Sequence, residues 1–438
     1  MSVGAALDAQ RVEPAGSESA TESVDDGATA LSTTDADVTR AAADPPADTP
    51  GGTDLEFRGD VEGLRAVAVL LVVLYHSGVS WVPGGFVGVD VFFVISGFLI
   101  TGLLIREHER RGAISLSGFY ARRARRILPA AMVVLIGVIL LAHYEQNFLS
   151  YGNPQNVNTV TDVKSAAMFW ANFHFAAQNT NYFNLGQTAS PVLHFWSLAV
   201  EEQFYLVWPT VVLVLAFLCR KLWPMRYTVL GTAIVATVLS YLWAMHAVDV
   251  NATAAFFSPF ARAWELGIGA VAATVVAYAG RLNRWVGLAL AWCGIVAIAY
   301  AAHYDSDASN FPGPHALLPV LGAVAVIIGG ASGIGAGHLL GFHPVRAVGR
   351  VSYGWYLLHY PPLILWSGSQ YVPLPVHERL LICLATLGIA FFMYFVLEKP
   401  VRRSKYLASR PWVSIAMGLS LVATVFIFAT MWHKGLFG

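Results

Sequence analysis

Two ionisable residues, Arg65 and His76, stand at the two ends of one apolar stretch, AVAVLLVVLY. Eleven positions at about 1.5 Å rise separate them by roughly 16 Å along a helix, close to three turns, so both side chains lie on about the same face. Ionisable groups inside a membrane are costly, and they mark transport pathways or reaction sites. The pair therefore predicts a membrane protein with chemistry inside it rather than a passive anchor.

A second cluster of polar residues lies in the apolar segment PVLHFWSLAVEEQFYLVWP. His194, Ser197 and Glu201 share one helical face, whereas Glu202 points about 100° away. Two adjacent glutamates in an apolar helix are expensive if both are ionised. One carboxylate is therefore a candidate for acid–base chemistry or for orienting an imidazole, while the other pairs with an arginine. A structural ion-pair network that holds helices together is the alternative.

Three further polar sets interrupt apolar segments. Asp90 lies a few residues inside its segment, and a lone intramembrane aspartate pairs with a cation or lines an aqueous cavity, with His76 or an arginine as its candidate partner. Arg262 and Glu265 are three residues apart, which predicts a structural ion pair. In a third segment helical spacing brings together a hydroxyl, a phenol and an imidazole, those of Ser352, Tyr356 and His359.

Four arginines occupy five positions in FYARRARRILP, a segment interpreted as part of the first cytoplasmic loop: Arg122, Arg123, Arg125 and Arg126. One interpretation is anchoring at the membrane surface through attraction to anionic lipid. The other is a clamp for the phosphates of a cytosolic cofactor, because guanidinium forks match phosphate geometry.

The composition places these residues in a membrane. Of the 438 residues, 56% are hydrophobic and only 12% are charged, whereas a soluble domain has about 45–50% and about 25%. Only helices and closed barrels satisfy their backbone groups in lipid, and apolar blocks of this length predict an all-α, polytopic integral membrane helical bundle of about 11 transmembrane helices. The three cysteines match no metal spacing, and neither a metal site nor a nucleic-acid partner is expected. The predicted spans are 63–79, 86–105, 127–144, 194–217, 227–246, 262–279, 285–302, 314–331, 350–367, 379–397 and 412–432.

Charge distribution predicts the topology. Residues 1–50 hold ten acidic residues against two arginines, so residues 1–56 are interpreted as a disordered acidic cytoplasmic tail. With eleven spans, the loops that hold almost all the other arginines and lysines lie on the same side as this tail, as the positive-inside rule requires. The sequence thus predicts the inner (plasma) membrane, a cytoplasmic N-terminus, an extracytoplasmic C-terminus, a transmembrane domain over 57–403 and an additional transmembrane helix in 404–438.

Eight segments together, in order, resemble the acyltransferase family 3 membrane proteins, over about residues 57–403. The similarity favours the form that modifies surface carbohydrates, which is often fused to an SGNH hydrolase-like domain. This chain stops after the eleventh span and is expected to be a stand-alone form. The matching segments are FRGDVEGLRAVAVLLVVLYH, GGFVGVDVFFVISGFLITGLL, FYARRARRILPA, HFWSLAVEEQFYLVWP, ARAWELGIGA, FPGPHALLPVLGA, VGRVSYGWYLLHYPPLILW and LEKPVRR.

The resemblance implies transfer of an acyl group, usually acetyl, from cytosolic acyl-CoA to a hydroxyl of an extracytoplasmic carbohydrate or glycolipid. The family's Arg-ten-residues-His motif falls on Arg65 and His76, and its arginine-rich loop falls on Arg122, Arg123, Arg125 and Arg126. Its WSL-x-x-E motif falls on Trp196, Ser197, Leu198 and Glu201. The expected partners are the bilayer, acetyl-CoA and the glycan or glycolipid acceptor. Either an extracytoplasmic partner protein completes transfer, or the acceptor is a membrane-held glycolipid that needs no presenting domain.

On this hypothesis a polar channel runs between spans 1, 2, 4 and 9. His76 is the general base or a transient acyl carrier, and Asp90 or Glu201 fixes its tautomer. Arg65 and the four loop arginines hold the acyl-CoA phosphates. The residues expected to bind substrate are Trp196, Ser197, Tyr356 and His359. A transporter of an anionic or glycosylated lipid is the alternative, since intramembrane charge fits both; a non-catalytic scaffold is a third.

Overall fold

A computed structural model describes the chain over seven ranges: 58–144, 156–180, 182–183, 189–279, 282–305, 311–368 and 374–434. Within these ranges all regular secondary structure is helical, which confirms the all-α prediction. The predicted tail at 1–56 lies outside the described residues. The helices are α1 (Gly59–His76), α2 (Gly88–Arg111), α3 (Leu116–Tyr144), α4 (Asn156–Ala167), α5 (Ala171–Ala177), α6 (Phe195–Cys219), α7 (Met225–Phe257), α8 (Pro259–Ala279), α9 (Arg284–Tyr304), α10 (Leu317–Gly330), α11 (Ala336–Leu340), α12 (His343–Gly368), α13 (Val376–Met393), α14 (Lys399–Arg403), α15 (Lys405–Ala408) and α16 (Pro411–His433).

Every apolar segment predicted to span the membrane is a helix. In the described ranges, eight helices are long and apolar enough to cross a membrane: α2, α3, α6, α7, α8, α9, α16 and the continuous helix that a π-helical turn makes of α13 and α14. Helix α1 carries Asp60, Glu62 and Arg65, and α10 is short even with the 3₁₀ turn that precedes it. The protein is a multi-pass membrane protein, and the count of eleven spans stays a prediction.

The arginine-rich segment is helical, and it forms part of α3 rather than an irregular connection between two spans. Helix α3 begins at Leu116, eleven positions before the predicted start of the third span at 127. Alanine, arginine and leucine are strong helix formers, and Gly118 and Pro129 do not interrupt the helix. The four arginines therefore project from the first turns of a rigid element.

Two short helices, α4 and α5, lie between the third and fourth predicted spans. Helix α4 packs against α3 and α16, and α5 packs against α6 and α7. Val163, Ala167 and Phe175 are almost fully buried, which explains why a polar stretch retains scattered apolar residues. The chain then returns towards α1 at Tyr182.

Helices α2 and α8 approach each other through a reciprocal pair of glycines. A Cβ added at Gly97 would overlap the carbonyl oxygen of Leu266, and one added at Gly269 would overlap that of Val94. Small residues at such crossings let backbones come close enough for dense packing without a hydrophobic driving force. This crossing holds Asp90 of α2 opposite Arg262 of α8.

We expect Gly97→Ala to lower the thermal unfolding midpoint of the detergent-purified protein. The added methyl group has no space, because the atom it meets is backbone, and overpacking of this kind costs about 1–3 kcal/mol. Gly137→Ala in α3 is the matched control, since a Cβ there meets no atom within 4 Å. Equal midpoints for the two variants would contradict the close crossing.

Candidate active site

Three buried histidines converge at one end of the bundle, from three different helices. His76 is the last residue of α1, His194 immediately precedes α6, and His359 lies in α12. Their exposed fractions are 7%, 0% and 0%. Helix α1 packs along both α2 and α12, and this contact brings His76 to His359. The Nδ1 atom of His76 is 3.0 Å from Nε2 of His359, and its Nε2 atom is 3.1 Å from the hydroxyl of Tyr182.

These contacts fix the tautomers of His76 and His359. His359 Nδ1 lies 2.7 Å from the carbonyl oxygen of Tyr356, which only accepts, so Nδ1 carries the proton. In the neutral ring Nε2 of His359 is then an acceptor, and His76 Nδ1 must donate to it. Burial raises the pKa of Tyr182 well above its ordinary value, so its hydroxyl keeps its proton and donates to Nε2 of His76. His76 thus presents a lone pair at Nε2, as a general base requires.

Asp90 does not contact His76, and its predicted role in fixing the tautomer is corrected. The guanidinium of Arg262 donates to Asp90 at 2.6 Å and to Glu265 at 2.7 Å, and all three side chains are almost fully buried. The predicted Arg262–Glu265 ion pair is confirmed, and of the two candidate partners for Asp90 the arginine is right. A desolvated carboxylate is stabilised far more by a full positive charge than by a neutral imidazole.

Glu201 also lies away from His76, which corrects the second candidate for fixing the imidazole. Ser96 and Tyr205 both donate hydroxyl hydrogen bonds to the same oxygen of Glu201. Glu201 lines a small cavity together with Arg65 and Arg123. Its carboxylate therefore contributes to the charge of that cavity and not to the histidine cluster.

A large cavity of about 450 Å³ opens at the end of the bundle opposite the histidines. Its described lining is strongly basic, with eight arginines against three glutamates. The arginines come from segments far apart in the chain, yet they face one space. They are Arg58, Arg65, Arg106, Arg126, Arg226, Arg350, Arg402 and Arg403, and the glutamates are Glu62, Glu109 and Glu398.

The small cavity, of about 80 Å³, continues from the large one. The two share four lining residues: Arg65, Leu99, Arg126 and Tyr353. Side chains of α1, α2, α6 and α12 line the small cavity, as predicted for a polar channel between spans 1, 2, 4 and 9, and α3 also contributes. Ser197 and Tyr356 line it too, joined by a hydrogen bond of 2.6 Å between their hydroxyls. The ring of Tyr356 lies 5.6 Å from that of His359, so this tyrosine stands between the small cavity and the histidines.

The structure divides the other predicted site residues. Of the four arginines of α3, Arg123 and Arg126 line the small cavity. Arg122 instead pairs with Glu107 at 2.8 Å, and Arg125 is buried and donates to the carbonyl oxygen of Ala121. Trp196 lines neither cavity and packs beneath the guanidinium of Arg262, 5.3 Å from its carbon.

Sequence reasoning missed two features of the site. Tyr182 has no local signal, because it lies in a short polar segment without helical periodicity. Arg402 and Arg403 were not among the predicted site residues, although both line the large cavity. The excess of arginine in the loops of one side was the signal available for them.

Comparison with known proteins identifies the family. The family model described as an acyltransferase domain matches residues 58–396. The chain belongs to the acyltransferase 3 family. Within the matched range lie Arg65, the three histidines, the small cavity and most of the lining of the large one; Glu398, Arg402 and Arg403 of the large cavity follow that range. No solved structure matches the chain.

Several curated relatives are similar over most of this chain. Peptidoglycan O-acetyltransferase OatA of Listeria monocytogenes is 29% identical over 360 residues, which cover 79% of this chain and 56% of that protein. O-acetyltransferase OatA of Staphylococcus aureus is 31% identical over 362 residues, covering 80% and 58%. A putative peptidoglycan O-acetyltransferase, YrhL of Bacillus subtilis, is 30% identical over 363 residues, covering 78% and 54%. The chain thus spans little more than half the length of these relatives.

Proposed function

We propose that the protein transfers an acetyl group from acetyl-CoA to a hydroxyl of a cell-wall carbohydrate or a glycolipid that carries it. The observation that carries this proposal is the shared wall of the two cavities, which joins a cluster of arginines to a small chamber lined by hydroxyls. The names of the relatives support acetyl as the group and peptidoglycan as the acceptor class.

The large cavity is the proposed entrance for the donor. Coenzyme A carries a pyrophosphate and a ribose phosphate, and arginine forks bind phosphate oxygens with two parallel hydrogen bonds. Eight arginines against three glutamates leave this space positive enough to attract such an anion. From there the pantetheine arm follows the shared wall at Arg65 and Tyr353, and the thioester reaches the small cavity.

His76 is the proposed base on the acceptor side. The acceptor hydroxyl takes the place of the Tyr182 hydroxyl and gives its proton to Nε2 of His76 as its oxygen attacks the thioester carbonyl carbon. The carbon–sulfur bond then breaks, and the proton passes to the leaving sulfur. His359 holds the His76 ring in the tautomer that this step needs, so the role predicted for a carboxylate passes to a second imidazole. Tyr356 must turn aside for the acyl group to reach His76.

The donor fixes the proposed orientation. Acetyl-CoA is cytosolic, so the end that carries the large cavity faces the cytoplasm, and the histidines face the opposite side of the plasma membrane. This agrees with the positive-inside rule. In this orientation the N-terminus lies in the cytoplasm and the C-terminus outside. When the glycan is not itself at the membrane, an extracytoplasmic partner protein is the proposed recipient of the acetyl group.

The arginines of the large cavity provide the first test. We expect Arg402→Ala combined with Arg403→Ala to raise KM for acetyl-CoA at least about 10-fold with little change in kcat, because each lost charged hydrogen bond is worth about 1.5–3 kcal/mol. The measurement is transfer of radiolabel from acetyl-CoA to envelope carbohydrate in washed membranes. Arg284→Ala is the matched control, since Arg284 is exposed and stacks on Trp285 away from both cavities.

The same assay separates the transporter alternative. Transfer of label to carbohydrate that depends on this protein and on acetyl-CoA supports the proposal. Movement of a lipid that proceeds without acetyl-CoA, with no label in carbohydrate, would overturn it.

A further inference from the structure

Two buried polar atoms in the small cavity have no hydrogen-bond partner among the described residues. They are an oxygen of the Glu202 carboxyl, Oε1, and the hydroxyl of Ser352, Oγ. Both residues line the cavity, and Ser352 is fully buried. An unsatisfied buried polar group costs about 1–3 kcal/mol, so proteins seldom retain one without a use.

Their neighbours in the same cavity do have partners. Glu201 accepts hydrogen bonds from Ser96 and Tyr205, and Ser197 is bonded to Tyr356. One of the two glutamates and two of the three serines that line the cavity are therefore hydrogen-bonded within the protein itself. Among the described residues, the other glutamate, Glu202, and the third serine, Ser352, each keep an unpaired polar atom towards the cavity.

The two unsatisfied atoms differ in chemistry. A carboxylate oxygen accepts, so Glu202 calls for an N–H or O–H group, while a serine hydroxyl can donate to a carbonyl oxygen. The thioester end of acetyl-CoA offers both within a few bonds: the carbonyl oxygen of the acetyl group, and the amide N–H two methylene groups beyond the sulfur. The reacting end of the donor thus complements the pair.

The volume fits the same fragment. A space of about 80 Å³ holds roughly five to eight water-sized groups at about 10–15 Å³ each. The acetyl group, the sulfur, the two methylene groups and the amide nitrogen make seven non-hydrogen atoms.

We propose that Glu202 accepts the pantetheine amide N–H nearest the thioester and that Ser352 donates to the thioester carbonyl oxygen. This assignment rests on the proposed function, and it makes the small cavity the thioester site. Glu202 acts as an anchor that sets how far the donor enters. Ser352 polarises the carbonyl at which the acceptor hydroxyl attacks.

The test compares two truncated donors that differ in one atom. The first is the S-acetyl derivative of N-acetylcysteamine, which keeps the amide N–H. The second is the S-acetyl derivative of 2-mercaptoethyl acetate, in which an ester oxygen replaces that N–H. The wild-type protein should prefer the amide donor at least about 10-fold in kcat/KM, because the carboxylate binds N–H and repels the ester oxygen.

In Glu202→Met the preference should disappear, mainly because kcat/KM for the amide donor falls while that for the ester donor does not. Glu202→Gln is the second variant in case Glu202→Met fails to accumulate; its amide can donate to the ester oxygen, so the preference should fall there too.

Ser352→Ala keeps a good helix former and should lower kcat/KM for both donors alike by about 5- to 10-fold, without changing the preference.

A preference that persists in both Glu202 variants, or an equal loss for both donors, would overturn the assignment of Glu202. Full activity in Ser352→Ala would overturn that of Ser352. If either of these results is obtained while the wild-type protein still transfers acetyl from acetyl-CoA, the proposed function stands and only the assignment of Glu202 or Ser352 fails. A wild-type protein that transfers from none of the three donors would overturn the proposed function, and this site with it.

Discussion

His76→Gln is expected to reduce acetyl transfer at least about 100-fold while the protein accumulates in the membrane at its normal level. General bases contribute about 10²- to 10⁴-fold, and glutamine fills a similar space but takes up no proton. The lone pair at Nε2 of His76, facing the Tyr182 hydroxyl at 3.1 Å, is the group whose loss carries this effect. The measurement is label transferred from acetyl-CoA to carbohydrate, normalised to protein detected by immunoblot.

His303→Gln is the matched control for this variant. His303 lies in the last turn of α9, is exposed, and bonds to the carbonyl oxygen of Trp81 at 2.8 Å rather than to the histidine cluster. It should retain full transfer. Comparable activity in His76→Gln and in His303→Gln would rule out His76 as the base.

Arg262→Leu is expected to leave little folded protein. It removes the guanidinium that both Asp90 and Glu265 contact, and leaves two acidic side chains in the interior of the bundle without that partner. Breaking a buried ion pair from one side costs about 3–5 kcal/mol, which is a large part of a total stability of about 5–15 kcal/mol. Two quantities are measured on the detergent-purified protein. Size-exclusion chromatography gives the monodisperse fraction, and thermal unfolding gives the midpoint.

The control is a pair of the same type nearer solvent. Arg346 bonds to Glu62 at 3.2 Å, and both side chains are partly exposed. Exposed pairs contribute about 0–1 kcal/mol, so Arg346→Leu should shift the midpoint little. If Arg262→Leu were as stable as Arg346→Leu, the cluster around Asp90 would not be structural, and Asp90 would return as a candidate for chemistry.

The helices were predictable from the sequence because apolar runs of membrane length have few alternatives in lipid. The start of α3 was not, since arginines near a membrane boundary were taken to belong to a loop. Hydropathy reports where a helix enters lipid and says nothing about turns that continue beyond it. Leu116 begins a helix whose first turns carry Arg123 and Arg126 to the cavities.

The site was predictable only as far as one helix face extends. Spacing within α1 correctly placed Arg65 and His76 on a common face, and spacing within α6 placed Ser197 with Glu201. Packing decides which helices meet, as at Gly97 and Gly269. Because α2 packs against α8 there, Asp90 contacts Arg262 rather than His76. Contacts between α1 and α12 likewise bring His359 to His76. The residue periodicity of either helix does not reveal this pairing.

The Tyr182 hydroxyl that covers the His76 imidazole bears on unproductive hydrolysis of a thioester. A thioester beside an uncovered base is open to attack by water, which would discard the activated group without product. With the phenol seated on Nε2 of His76, water has no place at that nitrogen. Under the proposed function, acetyl-CoA is then consumed only when an acceptor hydroxyl displaces the phenol, so the protein without an acceptor would not hydrolyse its donor.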